Sequence, residues 1–146
     1  MTDKLQRLAD MAVAIWTQQA VSTDDFGFVL EPGLATFSFF SPSENSDVAY
    51  CRVCLAQLGD MPCPPGFAED ALQGNFFWTG TNGATLSYNE AENAFYLTDR
   101  FDVKAFPSQE MFEDYVNNAL RTLQDWRARF ALYIPAELAT ANEEER

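Results

Sequence analysis

The sequence of 146 residues contains no histidine. Histidine is the commonest general base and metal ligand, so every Ser-His or Cys-His nucleophilic arrangement is excluded. Cysteine is scarce as well, because Cys51, Cys54 and Cys63 are the only three, one too few for a zinc site made of thiolates alone. Cys51 and Cys54 lie within an apparent strand, where residues three apart point to opposite faces. We therefore expect buried, inert thiols and neither a redox pair nor a metal site.

The glycines and carboxylates give no catalytic pattern either. The segment Gly80-Thr81-Asn82-Gly83 has no following lysine and leads into a predicted strand, which does not fit a phosphate-binding loop. The acidic runs at 24–25 and 143–145 lie in a predicted loop and in the tail, where carboxylates are normally solvated. We predict that the protein is not an enzyme, with no catalytic residue, no bound metal and no cofactor.

Basic residues are few. Nine Lys and Arg stand against 22 Asp and Glu, for a net charge of −13. Such a field repels nucleic acid and anionic membranes, and it favours solubility or a basic partner. No stretch approaches the roughly 20 apolar residues of a membrane span. The N-terminus also lacks the basic-then-apolar order of a signal peptide. We expect a cytoplasmic protein that binds neither nucleic acid nor membrane, with reduced thiols.

Apolar residues, by contrast, are abundant. They make up 47% of the chain, and 13 residues are Phe. This composition and length predict one folded domain with a substantial core. We expect the domain to span residues 1–135 and to be followed by an acidic C-terminal tail, residues 136–146.

Periodicity predicts the element order α-β-β-β-α-β-β-α. The predicted helices cover 3–19, 65–77 and a last helix that Ser108 caps and Pro135 ends. The predicted strands cover 26–30, 36–39, 48–58, 84–88 and 94–98, with 48–58 central in the sheet. Short turns between strands favour an antiparallel arrangement, so we predict an α+β domain with a five-stranded sheet and three helices.

The stretch 72–88 organises the rest of the chain. Its three consecutive aromatics, Phe76, Phe77 and Trp78, cannot all face one core, because neighbouring side chains point in different directions. At least one of them must meet a distant part of the chain or a second chain. We predict that this region forms the interface of a homodimer, made by Phe67, Ala71, Leu72, Phe76, Phe77 and Trp78.

A second surface is predicted for a partner on the first helix and the first hairpin. The helix carries apolar residues outside its main stripe, and the hairpin is rich in aromatics and expected at a sheet edge. An edge strand offers unpaired backbone groups to an extended peptide. We predict that Val13, Trp16, Phe28 and Phe39 contact the partner. The alternative is that all four belong to the core.

Three phrases of the sequence carry a family resemblance. They are "CLAQLGDMP", "NFFWTGTNGATLSY" and "YLTDRFDVKAF" with the later "FEDYVNNALRTLQDWRARF". In their order, and from the first helix to about Tyr133, they resemble the Tir-chaperone (CesT-type) family of type III secretion chaperones.

The resemblance implies a cytoplasmic homodimer without nucleotide hydrolysis, paired through the second helix. It implies that the dimer binds the N-terminal segment of a secreted effector, keeps it soluble and secretion-competent, and delivers it to the export ATPase. The alternative is a non-enzymatic regulatory module of the same fold that holds a folded partner.

Overall fold

The computed structural model describes residues 1–43 and 46–134. Within them, three helices cover one face of a six-stranded antiparallel sheet with strand order β1-β2-β3-β4-β6-β5. The predicted α+β class and the three helices are confirmed. In chain order the elements are α1 Asp3–Ile15, β1 Val21–Thr23, β2 Gly27–Leu30, β3 Phe37–Phe40, β4 Val48–Gln57, α2 Pro65–Gly74, β5 Thr85–Asn89, β6 Ala94–Asp102 and α3 Gln109–Ala131.

The strand absent from the sequence prediction is β1. It pairs antiparallel with β2, and Asp24 shapes the turn between them by accepting the backbone N–H groups of Phe26 at 2.7 Å and Gly27 at 2.8 Å. Among the described residues β1 is an edge of the sheet, and β2 lies inside it. The prediction that the β2–β3 hairpin lies at a sheet edge is therefore wrong.

The sequence predicted where the helices begin more accurately than where they end. Thr2 accepts the N–H of Leu5 at 3.2 Å, and Ser108 accepts that of Met111 at 3.3 Å, so both predicted N-caps are confirmed. Helix α1 ends at Ile15 and not at 19, since Thr17 leaves the helical region with φ 124°. The predicted stop at Pro135, the tail 136–146 and part of the loop 41–47 lie outside the described residues.

The core is a single cluster rich in aromatic rings. On the side of α1, Phe28 stacks on Phe39 at 4.7 Å, and Phe39 meets Phe112 of α3 edge-on at 5.7 Å. On the side of α2, Phe67 packs edge-on against Phe95, Trp126 and Phe130.

Along β4 the side chains alternate between this core and the opposite face of the sheet. Cys51 points into the core and Cys54 points away from it, as predicted, and both thiols are free. Burial raises the pKa of the Cys51 thiol, which keeps that thiol in its unreactive protonated form.

Arg127 ties α3 to the sheet. Its guanidinium donates to the backbone carbonyls of Leu55 at 3.1 Å, Cys54 at 2.8 Å and Leu34 at 2.9 Å. The first two carbonyls lie where the pairing of β4 with β6 shifts register and leaves Leu55 without a paired residue. One side chain therefore satisfies the backbone of an irregularity in the central strand.

We expect Arg127→Met to lower the free energy of unfolding by about 2–4 kcal/mol, because it removes charge-assisted hydrogen bonds and leaves partly buried carbonyls without their donor. Urea denaturation followed by circular dichroism measures the change. Arg121→Met, at an exposed position on the same helix, is the matched control and should change stability by less than about 0.5 kcal/mol. Equal losses in the two variants would contradict the role of the Arg127 contacts.

Candidate partner interfaces

The first candidate interface is the aromatic patch, formed by Leu72 on α2 and by Phe76, Phe77 and Trp78 in the turn that follows. Their side chains are 71%, 69%, 74% and 53% exposed, respectively. The sequence required at least one of the three aromatics to point away from the core, and all three do. Neighbouring large apolar side chains left in water are typical of an interaction surface.

The exposure follows from how α2 packs. Its buried residues Phe67, Ala71 and Gly74 recur at helical spacing and face α3 and the sheet, which leaves Leu72 on the outer side. After Gly74 the chain makes a tight turn in which Phe77 and Trp78 adopt φ values of 51° and 57°. Two successive non-glycine residues in the left-handed region cost roughly 1–3 kcal/mol each, so the surrounding structure must hold the turn in place.

Trp126 of α3 provides much of that support. Its indole N–H donates to the carbonyl of Gly80 at 2.9 Å. Its ring lies so close to Gly74 that a Cβ at this position would be 2.4 Å from a ring carbon. A glycine is therefore required where α2 meets α3.

Asn75 fixes the other side of the turn. Its side-chain amide donates to the Leu86 carbonyl at 2.9 Å, and its amide oxygen accepts the Leu86 N–H at 2.8 Å. Within the turn, the indole N–H of Trp78 donates to the Thr85 hydroxyl at 3.1 Å. The aromatic patch is thus displayed on a backbone held by both α3 and β5.

The predicted dimer residues fall into two groups. Phe67 and Ala71 are buried in the core of their own chain, 0% and 6% exposed, and support the patch from below. Leu72, Phe76, Phe77 and Trp78 point outward. The dimer role of the region stays a prediction, and only the outward group can contact a second chain directly.

The second candidate interface is the α1–β1 edge, formed by Val13, Trp16 and strand β1. Val13 is 36% exposed, and Trp16 is half-buried with its ring edge-on to Phe112 at 6.1 Å. Helix α1 packs against β1, β2 and α3, which brings these apolar side chains to the margin of the sheet. Because no described strand pairs with the outer side of β1, its backbone there is open to strand addition.

The remaining two predicted partner residues lie elsewhere. Phe28 and Phe39 stack on each other and are each 1% exposed, so neither offers a surface to a docked peptide. This placement favours the stated alternative, a core role, for both. Alternation showed that they share a face of the hairpin, but not that the helices cover this face.

A small cavity between the sheet and α3 does not suit an organic ligand. Its volume is about 50 Å³, and Cys51, Asp99, Tyr115 and Thr122 contribute to its lining. Small-molecule sites are usually roughly 300–1,000 Å³. The Tyr115 hydroxyl donates to the Asp99 carboxylate at 2.7 Å, and burial raises the pKa of Tyr115, so the hydroxyl remains a donor. This cluster is part of the packed interior.

Residues 1–43 and 46–134 contain neither a metal-binding cluster nor a membrane-spanning helix. No three His, Cys, Asp or Glu side chains in these ranges are grouped so that they could hold a metal ion. No helix there has the length and apolar character needed to cross a membrane.

Two solved structures share the fold. A chain from the crystal structure of the ExsC-ExsE complex has a TM-score of 0.68 and 17% sequence identity, with 88% of this chain and 94% of that chain covered. A chain from the structure of the HopA1-SchA chaperone-effector complex has a TM-score of 0.61 and 14% identity, with 86% and 94% covered. No curated protein sequence matches this one significantly.

A sequence model of one family also matches the chain. It covers residues 35–127, from just before β3 to the part of α3 that carries Trp126 and Arg127. The matched region is more than half of the sequence and contains the aromatic patch with its support. The chain therefore belongs to the Tir chaperone protein (CesT) family.

Proposed function

We propose that this protein is a cytoplasmic type III secretion chaperone that binds the N-terminal segment of a secreted effector as a homodimer and keeps it soluble and secretion-competent. Family membership supports this, as does a fold similar to that of a chain from a chaperone-effector complex. The observation that carries the proposal is the rigidly held, exposed aromatic patch. A non-enzymatic protein that displays such a surface is suited to binding other chains, and delivery of the bound effector to an export ATPase completes this role.

The aromatic patch is proposed as the contact between the two copies. An aromatic side chain that is mostly exposed leaves on the order of 100 Å² in water, and its burial contributes about 2.5 kcal/mol at roughly 25 cal/mol per Å². In a symmetric dimer each buried side chain counts twice. Because the turn is fixed by α3 and β5, its side chains lose little freedom on association, which favours a stable interface.

The α1–β1 edge is proposed as the effector-binding site. An extended segment that pairs with the outer side of β1 would gain backbone hydrogen bonds, while Val13 and Trp16 contact its apolar side chains. The net charge of −13 keeps a dimer with exposed apolar surface from aggregating and favours effector segments that carry basic residues.

The proposed function predicts a particular kind of client. Tagged protein purified from its native host should retain a protein whose N-terminal segment alone is protected from limited proteolysis, as mapped by mass spectrometry. A client held through a folded domain would instead favour a regulatory binding module. If no client is retained under native conditions, the proposed function is wrong.

The dimer proposal predicts that Leu72→Arg separates the copies, since it places an unpaired charge in an apolar contact. Light scattering should give about 32.8 kDa, twice the chain mass of 16.4 kDa, for the unchanged protein and about the chain mass for the variant. Phe26→Arg is the matched control, because Phe26 is equally exposed but lies at the β1–β2 turn, near the opposite edge of the sheet from β5. A dimeric Leu72→Arg protein, or a monomer before substitution, would contradict the proposal.

The effector site predicts that Val13→Glu weakens client binding at least tenfold, about 1.4 kcal/mol, with little change in melting temperature. Leu132→Glu is the control, because this exposed residue lies 20 residues beyond Phe112 along α3, roughly 30 Å away. Titration calorimetry with the captured client segment measures both. Phe28→Ala, in contrast, should cost about 3–5 kcal/mol of folding stability. Normal client affinity in Val13→Glu would place the site elsewhere.

A further inference from the structure

The open face of the sheet, opposite the helices, has its own chemical pattern. Strands β3, β4 and β6 present Ser38, Phe40, Tyr50, Arg52, Thr98 and Arg100 on this side, where alternate residues are half-buried or exposed. Register places Arg52 opposite Thr98 and Tyr50 opposite Arg100. Arg52 and Arg100 are thus diagonal neighbours on one face, roughly 7–8 Å apart.

Three other cations of the described residues form ion pairs, whereas Arg7, Arg52, Arg100 and Arg121 form none. Lys4 and Lys104 pair with Asp47, and Arg129 pairs with Asp70. Within residues 1–43 and 46–134, neither Arg52 nor Arg100 forms an ion pair, although acidic residues outnumber basic ones by more than two to one. The Arg52 guanidinium lies over the Tyr96 ring at 5.4 Å, which leaves its donors available.

Three acidic groups on and beside β6 have other partners, whereas Glu90 of the β5–β6 turn lines a hollow with Arg52. The Glu92 carboxylate accepts the Tyr96 hydroxyl, an interaction that raises the Tyr96 pKa to about 12. The Asp102 carboxylate accepts the Lys104 N–H at 2.8 Å, and Asp99 faces the core, where it is bonded to Tyr115. These hydrogen bonds hold the carboxylates to other donors but leave their charge, so the two guanidinium groups form a small positive site with acidic neighbours.

Apolar surface lies next to this positive site. Phe40 packs on Tyr50 at 5.6 Å, and a shallow hollow extends toward β1. Its lining includes Phe26, Val29, Phe40, Arg52 and Asp24, whose carboxylate accepts two backbone N–H groups of the β1–β2 turn. A ligand that crosses from β6 over β4 to β3 would meet the guanidinium groups and then the aromatic side chains, since Arg100 lies opposite Tyr50 and Tyr50 lies opposite Phe40. This order suits a peptide with both acidic and apolar residues.

We propose that the open face binds an extended segment of the client with acidic residues at alternate positions, whose carboxylates pair with Arg52 and Arg100. In an extended chain, side chains two residues apart share a face and are separated by about 6.8 Å, close to the diagonal spacing of the arginines. Carboxylates match the planar guanidinium donors in paired hydrogen bonds. At about 0.15 M salt, charges beyond about 8 Å are largely screened, so the distant part of the net charge acts only weakly on a ligand here. This assignment rests on the proposed chaperone function, since the client supplies the segment.

The test uses a fluorescein-labelled peptide with Asp-Val-Asp flanked by Thr and Val residues, and the same peptide with Asn-Val-Asn. Fluorescence anisotropy at physiological salt should show saturable binding of the Asp peptide only. The double variant Arg52→Gln, Arg100→Gln should bind it at least tenfold more weakly. Arg121→Gln, an exposed arginine of α3, is the matched control and should bind within twofold of the unchanged protein.

Several results would overturn the assignment. The Asp peptide could fail to bind saturably up to about 1 mM, or the Asn peptide could bind equally well. The double variant could bind the Asp peptide as tightly as the unchanged protein, or Arg121→Gln could lose as much affinity as the double variant. Light scattering is measured in parallel, and a monomeric double variant would identify the face as a contact between copies and also overturn it. Retention of the native client separates this inference from the proposed function. A client held by the unchanged protein without peptide binding rejects the open-face site alone, whereas failure to retain any client rejects the chaperone role.

Discussion

The contact of Trp126 with two glycines fixes the aromatic patch, the surface proposed to contact a second copy. The indole ring lies against Gly74 at the end of α2, its N–H binds the carbonyl of Gly80, and the Arg129 guanidinium lies over the ring at 4.6 Å. One side chain of α3 therefore sets both the position of α2 and the path of the turn after it. Without this contact the left-handed turn would relax, and the aromatic patch would lose its single orientation.

The aromatic residues of the chain divide between two tasks. Most rings pack edge-on or stacked inside the core, where they join the helices to the inner face of the sheet. Others are displayed outside, in the aromatic patch and beside the open face of the sheet. The high negative charge limits aggregation through the exposed rings, because two such molecules repel each other unless a specific contact brings their apolar surfaces together.

Local rules were sufficient to predict much of the architecture. Amphipathic spacing and capping residues located the helices, and alternation located β2 to β6, since each of these strands buries one face. Strand β1 was missed because three largely polar residues at an edge carry no periodic signal. The predicted end of α1 was too late in the sequence, because the backbone leaves the helical conformation at Thr17. Threonine, unlike glycine or proline, is not a residue type that marks a helix end.

For the candidate sites, too, the sequence predicted what local geometry determines and missed what the whole fold determines. Three consecutive aromatics were enough to predict an outward-facing side chain at the turn, because this conclusion needs only local geometry. Burial of Phe28 and Phe39 depended on which face of the sheet the helices cover, which is a property of the whole fold. The diagonal placement of Arg52 beside Arg100 on β4 and β6 depended on strand register, which their separation of 48 positions in the sequence does not indicate.

The left-handed backbone at Phe77 and Trp78 lowers the stability of the fold, whereas the exposed aromatic side chains at these positions favour binding. Glycine adopts this conformation without strain, so glycine at either position relieves the turn while it deletes an exposed aromatic ring. Selection for thermal stability alone would thus favour glycine at Phe77, whereas Trp78 also supports the turn through its hydrogen bond to Thr85. A large aromatic at Phe77, in a conformation that suits glycine, is therefore the exchange of stability for exposed apolar surface that the proposed contact between copies requires.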